Sequence, residues 1–133
     1  MQPTASPWGE VQWCKEIYKG VYMLGTASHG GIMVEHESLC FLTPAARSCG
    51  FREGSYLCFE EDCQKQVVLR DLLDSGLWSI PTDRVKDLAQ YEEAINGNIQ
   101  TYNPDYWKAR EKRMQQKAAR RQQTKAPLNL HSR

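Results

Sequence analysis

Residues 17–27 are dense in β-branched and aromatic side chains, residues 32–36 form a second short apolar run, and Ser28, His29, Gly30 and Gly31 lie between them. This pattern predicts two strands joined by a hairpin, because β-branched and aromatic residues suit a pleated surface and a glycine pair supplies the positive φ that tight hairpin turns demand. Residues 8–16 read equally as one helical turn or an edge strand. Residues 38–54, which carry Cys40, Pro44 and Cys49, form a loop or a third short strand, and residues 55–59 (SYLCF) a further strand. The expected sheet has three or four antiparallel strands.

From Asp62 the period becomes helical. Asp62 is placed as an N-cap, the carboxylates of Glu60 and Glu61 suit the positive end of a helix dipole, and Val67, Val68, Leu69, Leu72 and Leu73 precede Gly76. A helix over residues 63–74 follows. A second has Pro81 and Thr82 at its start, Val85, Leu88, Ala89 and Ile95 at core spacing, and Gly97 at its end, with Asp83, Lys86, Asp87, Glu92 and Glu93 on the outer face. A third begins with Asn103 as N-cap, Pro104 in the first helical position and Asp105 in the first turn, and continues to about residue 124. The predicted fold is α+β: a small antiparallel sheet with two packed helices on one face and a protruding basic C-terminal helix. Residues 1–16 form an N-terminal extension, 17–103 the α+β body, and 104–133 the basic helix and tail.

With 133 residues, 41% hydrophobic and 25% charged, the chain suffices for a single core. A two-domain enzyme is therefore not expected. No apolar run reaches the roughly 18 to 20 residues a bilayer requires, and residues 1–7 carry no apolar signal core, so the expectation is no membrane partner and a cytoplasmic location. The five cysteines are then expected to be reduced thiols.

Charge changes the picture more. Residues 104–133 hold nine basic and two acidic side chains, whereas residues 1–103 hold eight basic and fourteen acidic ones. The chain is an acidic body carrying a basic helix. Such asymmetry suits an anionic partner for the helix, and equally an intramolecular clasp onto the acidic body. Between Lys108 and Thr124 the only large apolar side chain is Met114, with Ala109, Ala118 and Ala119 around it, so packing is not expected to hold this segment. Tyr102, Tyr106 and Trp107 anchor its root in this reading. Lys108, Arg110, Lys112, Arg113, Lys117, Arg120 and Arg121 are then the candidate phosphate contacts on a nucleic acid. An acidic host protein surface, or a solubilising tail without a partner, accounts for the same residues. Gln115, Gln116, Gln122 and Gln123 do not discriminate among these readings.

The candidate chemistry is sparse. His29 sits in a glycine-flanked turn, where an imidazole can be presented to a substrate. Neighbouring side chains in an extended segment point to opposite faces, so Ser28 is a poor dyad partner for it. Glu60, Glu61 and Asp62 place three carboxylates in succession at a strand-to-helix junction. With His29 or His36 they could hold a divalent metal, and without one they serve as dipole and capping groups. A shared site requires His29 within about 8 Å of that segment, because ligand bonds span only roughly 2.0–2.6 Å. The cysteines at 14, 40, 49, 58 and 63 contain no CxxC pair, so the ligand knuckle of most structural zinc sites is missing. Cys63 occupies a helix start that lowers a thiol pKa, but beside carboxylates that raise it. Glycine-rich phosphate loops and HExxH helices are absent, and no cofactor is called for.

Three stretches, GVYMLGTASHGG (20–31), FEEDC (59–63) and YNPDYW (102–107), together resemble a family of domains of unknown function met in proteins of phages, conjugative plasmids and other bacterial mobile elements. In that family a strand ends in a T-P-S-H-G-G turn, an E-E-D-C/W motif follows, and an aromatic-containing P-D segment closes the domain. Here Ala27 stands where the family usually has proline. The resemblance covers roughly residues 17–107 and points to Ser28, His29, Gly30, Gly31, Glu60, Glu61, Asp62, Cys63, Pro104 and Asp105. It brings no activity with it. It implies context: a prokaryotic or phage accessory protein, among which small single domains often act on host defence or on DNA processing. Taken with the basic helix, the expected function is a non-enzymatic accessory protein of a mobile element that binds nucleic acid or a host nucleoprotein complex, with blockade of a defence system as a role. The alternative is a small hydrolase or metal-dependent nuclease using His29 with Glu60, Glu61 and Asp62, and Cys63 as a further candidate.

Overall fold

The computed structural model describes residues 2–131, with side chains through residue 123. It is α+β, with a two-stranded ribbon, a five-stranded antiparallel sheet and helices. The ribbon pairs β1 (Ala5–Ser6) with β2 (Gly9–Glu10). The sheet runs in the order β3 (Trp13–Tyr18), β4 (Val21–Gly25), β5 (Gly30–Glu35), β7 (Tyr56–Glu60), β6 (Phe51–Glu53). A 3-10 turn (His36–Phe41) and the short helix α1 (Pro44–Arg47) connect β5 to β6. The helices α2 (Lys65–Asp74), α3 (Leu88–Tyr102) and α4 (Pro104–His131) follow.

The apolar run expected to be one strand over residues 17–27 is two. Tyr18-Lys19-Gly20-Val21 turns the chain between β3 and β4, with Gly20 at φ +75°. A Cβ on Gly20 would also collide with the Ser38 hydroxyl, which donates 2.8 Å to the Lys19 carbonyl. Residues 8–16, open between a turn and an edge strand, supply β2 and most of β3. The edge strand β3 therefore straddles the boundary drawn at residue 17.

Alternation along the strands sorts the core into two layers. Val21, Ile32, Val34, Leu57 and Phe59 face α2 and α3, where Val67, Val68, Leu72, Ile95 and Ile99 are fully or almost fully buried. Tyr22, Leu24, Met33 and Cys58 face the other way and lie under Trp8, Val11, Cys14 and Tyr56. The registers Val21↔Val34 and Val34↔Leu57 line up the first set, and Tyr22↔Met33 and Met33↔Cys58 the second. Burial on both faces explains why β5 reads as a continuous apolar run instead of an alternating one. The helices do pack on one face, as expected, while the N-terminal residues cover the other.

Helix limits depart from expectation at identifiable residues. Asp62 does not cap α2. The N-cap is Gln64, whose side-chain carbonyl accepts from the Glu60 amide at 3.0 Å, and the helix begins at Lys65. The second helix starts at Leu88, where Asp87 accepts from the Gln90 amide at 3.0 Å, so Val85 precedes it and Leu88 and Ala89 stay exposed. Nor does it end at Gly97. Ile95 and Ile99 bury on either side of that glycine, and their packing carries the helix through to Tyr102. Asn103 closes α3 and directs its side-chain amide to the Cys63 carbonyl, so it joins the two last helices to the start of α2.

Candidate functional site

Two constellations hold the residues singled out by the sequence. The first lies where the β4–β5 turn meets the β7–α2 loop. Gly25 pairs with Gly30 across the hairpin, and residues 26–29 close it. The Thr26 amide donates to the His29 carbonyl at 2.7 Å, while the His29 amide donates to the Thr26 hydroxyl at 3.2 Å. Neither Gly30 nor Gly31 has positive φ, which corrects the expected turn chemistry. Both are β5 residues, and glycine is required there by close approach. A Cβ on Gly30 would sit 2.5 Å from the Leu24 carbonyl oxygen, and one on Gly31 would strike the Phe59 carbonyl and, at 2.6 Å, the Trp8 ring.

The Gly30 carbonyl accepts from the Glu61 amide at 3.0 Å, which laces the start of β5 to the loop after β7. That loop is fixed from two further sides: Asn98 of α3 donates to the Asp62 carbonyl at 3.0 Å, and Asn103 to that of Cys63. His29, Glu60 and Asp62 converge as a result. One ligand atom from each lies within 4.8 Å of the other two, well inside the distance a shared site requires. Glu61 is not in this group; its carboxylate lies over Gly30. His36 is at the other end of β5, beyond the Glu35↔Tyr56 pair, so the sheet separates the two histidines. Ser28 is exposed and belongs to the same turn. The Cys63 thiol donates to Glu60 Oε2 at 3.6 Å, and burial, followed by the charges of Glu60 and Asp62, raises its pKa above the ordinary thiol value. A protonated thiol is a weak nucleophile, which removes the main attraction of Cys63.

The second constellation is the contact between α2 and α4. Tyr106 is buried and its hydroxyl donates to Asp71 Oδ1. Asp71 Oδ2 accepts from the Thr43 amide at 2.7 Å. One turn on, Asp74 receives Arg110 through two hydrogen bonds of 2.7 and 3.0 Å, Arg113 at 3.2 Å and Arg70 at 3.0 Å. Arg70 is itself buried and reaches Glu92 at 2.9 Å and Asn96 at 2.9 Å. Burial alone would raise the Asp74 carboxyl, but the Arg110 hydrogen bonds and the charges of Arg70, Arg110 and Arg113 outweigh it and leave the pKa below its ordinary value. Burial, then the Asp71 charge, pushes the Tyr106 hydroxyl upward.

The first turns of α4 are therefore held by ion pairs as well as by Tyr106, which corrects the expectation of an unheld segment anchored only by aromatics. Trp107 is half-buried under the Arg110 guanidinium, 5.0 Å from its ring centroid, whereas Tyr102 is exposed and anchors nothing. Of the candidate phosphate contacts, Arg110 and Arg113 point into the acidic pair. Lys117, Arg120 and Arg121 continue the same side of the helix beyond it, all exposed, and Lys117 and Arg120 border a groove of about 300 Å³ against the body. Lys108 and Lys112 are exposed on the opposite side. Sequence reasoning missed Arg70, Asp71 and Asp74. Their signal was charge inside the apolar run VVLRDLLD, two aspartates three residues apart matching two arginines three residues apart in α4.

Among the described residues no helix is long and apolar enough to cross a membrane. A family model described as Domain of unknown function (DUF7007) matches residues 1–131. No curated protein and no solved structure matches the chain.

Proposed function

The chain belongs to that family, DUF7007, and since the description carries no activity we propose a function from the geometry: a non-enzymatic accessory protein whose distal α4 binds a nucleic acid backbone. The context we propose, from the TASHGG, FEEDC and NPDYW motifs, is a phage or plasmid protein acting on host nucleoprotein, with interference in a defence system as its role. One observation carries the binding reading. α4 is 28 residues long, about 42 Å at 1.5 Å per residue, and beyond Arg110 and Arg113, which pair with Asp74, exposed cations continue along the helix at Lys117 and Arg121. A row at this spacing can follow successive phosphates without reading bases.

The test is retention of labelled single- and double-stranded DNA and RNA at low salt. Binding should weaken steeply with salt, and Lys117→Gln with Arg121→Gln should reduce the logarithmic slope for duplex DNA by roughly 0.9 per lost phosphate contact. The loss should be similar for all sequences. Arg110 and Arg113 are left intact in this experiment, since removing them would perturb the fold. Failure of every nucleic acid to bind at low salt overturns the reading and leaves an acidic protein surface as the partner of the same row.

A further inference from the structure

We propose that His29, Glu60 and Asp62 form a binding site for one divalent first-row transition metal ion, a site independent of the nucleic-acid reading. Three different backbone segments are brought together here by named hydrogen bonds: the hairpin turn through Thr26, the end of β7 through Gln64, and the loop through Asn98. The mutual spacing of at most 4.8 Å is slightly wider than the roughly 3–4 Å between donors that share one ion at 2.0–2.2 Å. His29 and Asp62 are exposed and Glu60 is half-buried, so small side-chain rotations close the difference without disturbing the core.

Charge favours occupation. Glu60 and Asp62 stand together with no lysine or arginine paired to either among the described residues. A divalent ion would neutralise both carboxylates, and the imidazole would add a neutral nitrogen donor. Such a mixed set, one imidazole and two carboxylates, suits Mn²⁺, Fe²⁺ or Zn²⁺ better than Ca²⁺ or Mg²⁺, which favour oxygen alone. Three protein donors leave positions for water, and the exposure of the cluster leaves them open to solvent. Bound there, the ion would tie the β4–β5 turn to the start of α2.

The probe is Mn²⁺ added to the full-length, chelator-stripped protein, because manganese has little affinity for the five thiols. Electron paramagnetic resonance should count one bound ion per chain with nitrogen coupling from an imidazole. His29→Ala should abolish the nitrogen signature, and His29→Ala and Asp62→Asn should each weaken binding at least tenfold, whereas His36→Ala and Glu61→Gln should leave it unchanged. Circular dichroism verifies that the exposed-site variants remain folded, and a Mn²⁺-dependent rise in melting temperature should be lost with His29→Ala. Absence of bound Mn²⁺ at millimolar concentration, absence of nitrogen coupling in the wild-type chain, or undiminished binding by His29→Ala overturns the proposal.

Discussion

At the scale of single residues, Gly31 shows how a correct identity can carry a wrong reason. Read from sequence, glycine beside His29 serves a positive φ, but both glycines lie in β5 and are needed because Trp8 and the Phe59 carbonyl press against Gly31 and the Leu24 carbonyl against Gly30. No local pattern announces the Trp8 contact, since Trp8 comes from a segment 23 positions earlier whose own residues do not decide its conformation. Gly31→Val should therefore destabilise the fold by about 1–3 kcal/mol through overpacking, measured by chemical denaturation. Gly30→Val should do likewise through the Leu24 carbonyl. The cysteines offer a second check at this scale. Burial raises the pKa of Cys14, Cys49, Cys58 and Cys63, that of Cys58 to about 12, whereas Cys40 is exposed. In the native protein near pH 8 an alkylating reagent should modify Cys40 first, and Cys58 only after unfolding, as read by peptide mass. Rapid modification of Cys58 in the native state would contradict its place under the N-terminal ribbon.

Among the elements, what is legible follows from local chemistry, and what is hidden depends on partners distant in sequence. The strand at Tyr56–Glu60, the helix ending before Gly76 and the Pro104 start of α4 are readable because propensity and punctuation agree there. The start of α3 misleads because Val85 and Leu88 imitate a core face, while the actual signal is Asp87 capping Gln90. Its end misleads because burial of Ile95 and Ile99 outweighs the helix penalty of Gly97. That penalty is recoverable. Gly97 is exposed, with nothing within 4 Å of the place a methyl group would take, so Gly97→Ala should stabilise the protein by about 0.5–1 kcal/mol and raise its melting temperature. A shared site of a histidine with the 60–62 carboxylates is readable as a candidate, but that His29 rather than His36 joins Glu60 and Asp62 depends on the antiparallel register of β5 and β7. The motif resemblance places these residues in one family pattern without saying that they touch.

For the whole molecule, the division into an acidic body and a basic helix is plain in the sequence, and the structure shows that the two are joined at Asp71 and Asp74. Asp74 has its pKa lowered in the folded state below its ordinary 3.8. Its contribution to stability is thus complete above that unfolded value and fades as pH falls through the lower folded one. Acid unfolding should consequently set in below about pH 4, and Asp74→Asn should flatten this acid limb while lowering stability at neutral pH, both visible in pH-resolved thermal melts. Arg110→Ala should cost on the order of 3 kcal/mol, because it leaves a largely buried carboxylate with less compensation. Truncation after Trp107, harmless if packing alone mattered, should destabilise the body for the same reason.

The clasp also bears on how the chain matures during synthesis. The β3–β4–β5 meander and the β6–β7 hairpin join neighbouring segments, and their strand partners have all left the ribosome once Glu60 has. Asp74 is different: two of its three guanidinium partners lie 36 and 39 residues downstream. A nascent chain can pair these strands early and still carry an α2 in which Asp74 is compensated by Arg70 alone until α4 arrives. Chains ending before Arg110 should accordingly be cut within α2 by protease far faster than the 133-residue chain, because Arg110 and Arg113 of α4 are what close over Asp74.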